Sequence, residues 1–116
     1  MEENLAISIG KIAKSANVSI DTLRHYAAIG LLLPKYISDT GYRYYHPSQR
    51  EVLLDIMQLK AFGFSLEEIK TLLGNDEKTR QAQYRQRYLA LMQEKERVEH
   101  AMSELAKKIG HHEEEI

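Results

Sequence analysis

Apolar residues recur at helical spacing along most of this chain. Ile9, Ile12 and Ala13 follow Ser8, a residue type that often caps helices, and together they predict a first helix over residues 8–15. The apolar positions share one face of that helix, so they are expected to pack inward.

The second predicted helix begins after Ser19, another good N-cap residue, and ends at Gly30. Its apolar positions, Leu23, Tyr26 and Ala27, are expected to face inward. Two short helices joined by a few residues make a helix-turn-helix unit. Many small helical domains contain such a pair without binding DNA, so the spacing by itself leaves both possibilities open.

A short β-hairpin is predicted directly after this pair of helices. Tyr36 and Ile37 form one β-prone run, residues 42–45 form another, and Gly41 between them supplies the positive φ that a hairpin loop needs. A hairpin in this place is a wing, and Arg43 is expected near its tip.

Two further helices are predicted between residues 47 and 74. The third begins near Pro47 and ends at Gly63, and the fourth opens on a capping box formed by Ser65 and Glu68. The apolar face predicted for the third helix consists of Val52, Ile56, Leu59 and Phe62.

The last part of the chain carries a heptad series of apolar residues that only Lys95 interrupts. A helix over residues 77–109 would be about 50 Å long. A domain of roughly 70 residues cannot cover so long a stripe, so the stripe is expected to meet a second copy of the chain. The alternative is a helix that folds partly back on its own domain. The predicted dimer interface consists of Tyr84, Tyr88, Leu91, Val98, Met102, Leu105 and Ile109.

The predicted fold is therefore mainly α. A winged helix-turn-helix domain over residues 1–74, with a small β-hairpin wing, is followed by a dimerisation helix over residues 75–110. Residues 111–116 form a tail in which His111 and His112 precede three glutamates. A solvated, frayed segment is favoured there over a metal site.

Composition narrows the possible functions. The 116 residues include no cysteine, which excludes disulfides, thiolate metal sites and thiol redox chemistry in this chain. No apolar run approaches the ~20 residues that span a bilayer, and the N-terminus lacks a signal-peptide pattern. A cytoplasmic location without a membrane partner is expected. No nucleophile elbow, glycine-rich phosphate loop or paired-histidine motif is present, so neither an enzyme nor a cofactor is expected.

The net charge of −1 excludes a general polycation, but the charge is uneven. Residues 8–46 contain five cations and two anions. If this region binds nucleic acid, its basic surface is modest and would need duplication in an oligomer. Arg24 fits an ordinary ion pair with Asp21 and also a contact to guanine or phosphate, and Arg43 has the same two interpretations. Because both project from the predicted domain, DNA contact is favoured.

Three sequence motifs occur in an order that resembles the MerR family of bacterial transcription regulators. They are SIGKIAKSANVSIDTLRHYAAIGLL, then GYRYY, then LKAFGFSLEEIKTLL, followed by the long helix. The resemblance covers residues 7–73 and extends as architecture to Ile109. The second helix and the wing look closest to the multidrug-responsive branch.

The resemblance implies that the second helix enters the DNA major groove, while the wing and the third helix hold the phosphate backbone. The last helix would pair antiparallel with its copy as a coiled coil and place two DNA-binding domains on a palindromic promoter. Family members bend and untwist a promoter with an overlong spacer, which realigns the elements that RNA polymerase reads. The residues implied at the DNA are Ser19, Asp21, Thr22, Arg24, His25, Tyr26, Tyr42, Arg43 and Lys60.

The chain departs from the family pattern at two places. His25 stands where the family usually has tyrosine, and Ala27 and Ala28 replace a more polar pair. Family members usually carry a sensing segment after the dimerisation helix, and nothing of that size follows in this sequence. Either the sequence is a fragment or a naturally short form, or a signal acts through the dimer helices themselves.

Two other classes of protein are alternative interpretations to a promoter-binding regulator. One is a coiled-coil module whose N-terminal domain binds a protein, and the near-neutral charge favours it slightly. The other is an architectural DNA-bending protein of the excisionase type, which leaves the long heptad helix unexplained.

Overall fold

The structure, a computed structural model, describes residues 5–115, except for the side chains of residues 111–115. The mainly helical architecture with a small sheet is confirmed. The chain divides after Gly74 into two compact units. The elements, in chain order, are β1 (Ile7–Ser8), α1 (Ile9–Ser15), α2 (Ile20–Ala28), β2 (Tyr36–Ile37), β3 (Arg43–Tyr45), α3 (Gln49–Ala61), α4 (Leu66–Gly74) and α5 (Glu77–Glu115).

Side-chain caps begin both helices of the helix-turn-helix, as predicted. The Oγ of Ser8 accepts the backbone N–H of Lys11 at 3.2 Å, and the Oγ of Ser19 accepts that of Thr22 at 3.0 Å. Each hydroxyl satisfies one of the N–H groups that the first turn of a helix leaves unpaired. Asn17, at φ +56°, turns the chain between α1 and α2.

The wing is a three-stranded antiparallel sheet in the order β1-β3-β2, rather than the predicted two-stranded hairpin. Ile7 pairs with Tyr45 on one side of β3, and Ile37 pairs with Arg43 on the other. The sequence prediction missed β1 because its two residues lie directly before a helix and Ser8 also acts as the cap of α1. The extra strand joins the wing to the start of the helix-turn-helix.

The predicted inner face of α3 needs correction at two positions. Leu53, fully buried, takes the central place that was predicted for Val52, which is only half-buried. Phe62 is 43% exposed, whereas Phe64 is buried. α3 ends at Ala61 and Gly63 turns the chain at φ +97°, so the residue after the turn enters the core instead of the one before it.

The predicted capping box at the start of α4 is confirmed. The carboxylate of Glu68 accepts the backbone N–H of Ser65 at 2.8 Å, and the Oγ of Ser65 accepts the backbone N–H of Glu68 at 3.1 Å. This reciprocal pair fixes where α4 begins.

One hydrophobic core fills the first unit, and α1, α2, β3, α3 and α4 all contribute to it. Such a shared core holds the two helix-turn-helix elements against α3 and α4. Its fully buried side chains are Ile12, Leu23, Tyr45, Leu53, Ile56, Ile69 and Leu72.

The second unit is the single long helix α5. It begins after Asp76, whose Oδ1 accepts the backbone N–H of Thr79 at 2.8 Å, and hydrogen bonds from Thr79 lower the pKa of this carboxyl group. The helix continues past its predicted end near Ile109 to Glu115. One glycine at position 110 costs a helix only about 1 kcal/mol, and the glutamates after it are good helix formers.

The predicted role of the 111–116 tail concerns side chains that lie outside the described residues, so it stays a prediction. Across residues 5–115, no helix combines the length and the apolar character that crossing a bilayer requires.

Tyr45 generates a test of the core. Its side chain is fully buried, and its hydroxyl has no hydrogen-bond partner among the described residues. Burial raises the pKa of this phenol, and nearby Arg43 partly opposes that rise. Because an unpaired buried polar group costs about 1–3 kcal/mol, we expect Tyr45→Phe to raise the free energy of unfolding by about 1 kcal/mol in urea titrations. Tyr36→Phe, at an exposed position, is the control. A loss of stability in Tyr45→Phe would contradict this account.

Candidate nucleic-acid interface

The first turn of α2 places two hydroxyl groups side by side on the surface. The Oγ of Ser19 and the Oγ1 of Thr22 lie 2.8 Å apart and share a hydrogen bond. Only one of the two hydroxyls donates in that bond, so the other keeps its hydrogen for an acceptor outside the protein. The helix cap therefore also presents a donor to solvent.

The outer face of α2 carries one cation and one anion in loose contact. Arg24 Nη1 lies 3.5 Å from Asp21 Oδ1, and their side chains are 59% and 91% exposed. Ion pairs this exposed contribute about 0–1 kcal/mol. Arg24 can therefore leave Asp21 for another acceptor at little cost.

His25 and Tyr26 point in different directions, as neighbouring residues on a helix must. His25 is exposed, whereas Tyr26 is 3% exposed, and their ring centroids lie 6.5 Å apart. Burial raises the pKa of the Tyr26 phenol, so it stays protonated. The ring of Tyr26 serves the core, and any contact it makes with an outside molecule is confined to the edge of that ring.

The tip of the wing is a tight turn held by Ser38. Its carbonyl accepts the N–H of Gly41 at 2.9 Å, and its Oγ accepts the N–H of Tyr42 at 3.0 Å. Gly41 adopts φ +87°, the left-handed conformation that glycine reaches without strain. Tyr42, which the sequence predicted within the strand, lies just before β3 with 67% of its side chain exposed.

Arg43 begins β3 and is half-buried opposite Ile37. The neighbouring rings of Tyr36 and Tyr44 lie with centroids 5.8 Å apart and brace the pair of strands. Arg43 therefore sits on the body of the wing next to the tip, on backbone that two neighbouring strands fix.

Lys60, the third arginine or lysine that was predicted to contact DNA, is exposed in the last turn of α3. A cation there also interacts favourably with the negative end of its own helix. Its position fits a phosphate contact and an ordinary helix-end charge equally well.

The second unit leaves its apolar stripe in solvent. Tyr84 is half-buried, and the other stripe residues are exposed, from 38% at Leu91 to 65% at Tyr88. A groove along this face is lined by Tyr88, Leu91, Met92, Lys95, Glu96 and Glu99. A stripe of this length is unusual for a helix that functions without a partner.

Sequence reasoning missed two cations that contact the helix-turn-helix from outside it. Arg50 on α3 and Lys70 on α4 donate hydrogen bonds to Ser15 and Ile29, respectively. The partners lie 35 and 41 residues apart in the chain, so no local pattern could have indicated either contact.

Comparison with known protein families agrees with this architecture. Residues 7–76 match the model described as MerR HTH family regulatory protein, and residues 50–109 match the model described as MerR, DNA binding. The first match alone spans more than half of the chain. The chain belongs to the MerR family. Members of this family, including the relatives found here, are transcription regulators and not enzymes.

Among the relatives of this MerR-family chain is the HTH-type transcriptional activator mta of Bacillus subtilis (strain 168), which is 37% identical over 91 residues. The aligned region covers 78% of this chain but 35% of that activator, so the chain spans about a third of the relative's length.

Two solved structures extend the likeness to three dimensions. The crystal structure of MtaN, the N-terminus of the Bacillus subtilis multidrug transporter activator, matches with a TM-score of 0.78 and 33% identity, over 89% of this chain and 97% of that chain. A cryo-EM structure of the EcmrR-DNA complex in EcmrR-RPo matches with a TM-score of 0.77 and 31% identity, over 90% of this chain and 39% of that one.

Proposed function

We propose that this MerR-family chain acts as a homodimer that binds a palindromic promoter duplex, with α2 of each copy in the major groove. The observation that carries the proposal is the outer face of α2, where Arg24 and the hydroxyls of Ser19 and Thr22 lie outside the core. Family membership and the likeness to EcmrR in its DNA complex support DNA as the ligand.

Within α2, the roles divide by chemistry. Arg24 is suited to guanine or phosphate, because a guanidinium donates two parallel hydrogen bonds to either. Ser19 and Thr22 offer a hydroxyl donor, Asp21 holds Arg24 until DNA displaces it, and exposed His25 reaches a phosphate. Tyr26, being buried, has only the edge of its ring to offer.

The wing and α3 would hold the backbone on either side of the groove. Tyr42 is exposed at the wing tip, Arg43 is fixed on β3 beside it, and Lys60 lies exposed on α3. Contacts of this kind position a protein on duplex DNA without reading its sequence. The modest positive charge of residues 8–46 is doubled when two copies bind one operator.

The apolar stripe of α5 gives the reason for a dimer. Seven heptad positions from Tyr84 to Ile109 are half-buried or exposed, and a second copy of the same helix covers them at matching spacing. Lys95 lies near the middle of the stripe, on the same groove as Glu96 and Glu99. In an antiparallel pair the middle of one helix faces the middle of the other, so these opposite charges meet.

The proposed dimer would also allow control by promoter distortion. With 39 residues, α5 is about 60 Å long, and in the proposed antiparallel pair the two chains enter it from opposite ends. A duplex whose spacer is too long must bend or untwist to contact both α2 helices of the dimer at once. RNA polymerase, which reads the realigned promoter, is the second expected partner.

Selection from a random duplex pool is the direct test of this function. We expect the full chain to enrich an inverted repeat, with an affinity that falls steeply as salt concentration rises, because phosphate contacts release counterions. Weak, salt-insensitive binding without enrichment would contradict the proposal and favour the protein-interaction module. Enrichment of a bent but non-palindromic site would favour an architectural bender.

Replacement of Arg24 and replacement of Arg43 are expected to weaken DNA binding in different ways. Arg24→Ala should reduce discrimination between the enriched site and random DNA by about 1–3 kcal/mol, since a base contact is lost. Arg43→Ala should weaken all duplexes evenly and flatten the salt slope. Affinities measured at several salt concentrations check both, with Lys78→Ala on α5 as the control for lost charge. Identical effects on every duplex would refute the two assignments.

The dimer interface has a matched control within the same helix. Leu91→Glu and Val98→Glu should each yield a monomer, because a carboxylate cannot be buried unpaired in an apolar seam. Leu89→Glu changes an exposed leucine outside the heptad stripe and should leave the dimer intact. Sedimentation equilibrium gives the masses, and circular dichroism shows that the helix persists. An unchanged mass in the stripe variants, or a monomer in Leu89→Glu, would place the interface elsewhere.

A further inference from the structure

Two cations on α3 and α4 bind the C-terminal ends of the two helices of the helix-turn-helix. Arg50 reaches Ser15 at the end of α1, and Lys70 reaches Ile29, the residue that caps the end of α2. Carbonyl groups at the end of a helix lack internal partners and carry negative partial charge. Each cation therefore gives a hydrogen bond to a carbonyl group that has no partner within α1 or α2.

The contact of Lys70 is the closer of the two. Its Nζ donates to the carbonyl oxygen of Ile29 at 2.9 Å. The next residue, Gly30, has φ +74°, and a Cβ added there would lie 3.1 Å from the same Nζ. Glycine at this position thus makes the turn after α2 and also leaves the space that the ammonium group occupies.

Arg50 anchors α1 in a comparable way. Its Nε donates to the Oγ of Ser15 and its Nη2 to the carbonyl oxygen of Ser15, both at 3.2 Å. The Oγ of Ser15 in turn donates to the carbonyl of Ile12 at 2.8 Å. A guanidinium held at two points fixes direction as well as distance, so α1 is held in orientation to α3.

We propose that Lys70 is a positioning residue for α2, which sets the angle at which this helix meets DNA and thereby contributes to operator selectivity without touching the duplex. The inference rests on the proposed function. A helix of nine residues has little stability of its own, so the packing of its inner face and its end contacts determine its orientation. Base contacts tolerate displacements of only about 0.5 Å, so a small tilt of α2 misplaces Arg24.

A direct phosphate contact by Lys70 is the competing explanation, and salt dependence separates the two. A cation that neutralises a phosphate changes the salt slope of binding when it is removed. A residue that acts through the angle of α2 leaves that slope unchanged and alters the ratio of affinities between the correct site and other sequences.

The experiment compares Lys70→Met with Lys78→Met in the full chain. Both variants lose one exposed lysine, and the side chain of Lys78 has no hydrogen-bond partner among the described residues, so it controls for charge. The probes are the duplex enriched by the unaltered protein and a scrambled version of it, each titrated at several potassium chloride concentrations. Thermal unfolding and amide hydrogen exchange of the DNA-free variants are measured in parallel.

We expect Lys70→Met to lower the ratio of affinities for the enriched and scrambled duplexes about five- to tenfold, part of the worth of one base contact, with an unchanged salt slope. Amides in the last turn of α2 should exchange faster without DNA, and Lys78→Met should change neither property. An unchanged ratio or unchanged exchange would overturn the inference. So would a shallower salt slope, which indicates a phosphate contact, or an equal loss on both duplexes with a lower melting temperature, which indicates a purely structural role.

Failure of the proposed function is distinguishable from failure of this inference. If the unaltered protein enriches no duplex, operator selectivity does not exist and the functional part of the inference falls with it. The hydrogen-exchange comparison still decides whether Lys70 restrains α2, because that measurement needs no DNA.

Discussion

A helix of nine residues does not persist in water by itself, and α2 carries most of the side chains proposed to meet DNA. Burial of Leu23 and Tyr26 in the core of the first unit is therefore the interaction on which the candidate interface depends. The core determines which face of α2 is turned inward, and so determines by exclusion which side chains are presented. The hydrogen bond from Lys70 adds a second restraint at the end of the helix.

The outward residues of α2 contribute little to the stability of the fold. The contact between Arg24 and Asp21 is exposed and long, and His25 is in solvent. Their replacement would leave the core unchanged, which is the arrangement expected when binding residues lie on a rigid scaffold. In the proposed function, stability and recognition would therefore reside on opposite faces of one short helix.

In the first unit many of the large apolar side chains are buried, whereas in the second unit most of them are exposed. α5 exposes large apolar side chains at heptad spacing, and a long helix of this kind gains most of its stability from a partner. The hydrophobic effect therefore supports the proposed association with a second copy. The charges of Lys95, Glu96 and Glu99 lie near the middle of the stripe. In the proposed dimer, the same apolar contact would stabilise the helix and join two DNA-binding units.

Features that depend on neighbouring residues could be predicted from the sequence alone. Ser8 and Ser19 begin helices, Ser65 and Glu68 form a capping box, and Gly41 makes a turn, because each acts within a few residues of its own position. The helical spacing of the α5 stripe could be predicted for the same reason. The polar outer face of α2 was also visible in advance, since Leu23 and Tyr26 left the other positions for solvent.

Features that join distant parts of the chain became evident only in the folded structure. The strand Ile7–Ser8 exists because β3 offers it a pairing edge, and Leu53 replaces Val52 at the centre of α3 because the surrounding helices determine which face is covered. The contact between Lys70 and Ile29 spans 41 residues. Local propensity carries no information about such contacts, because their energy arises only when the core has brought the elements together.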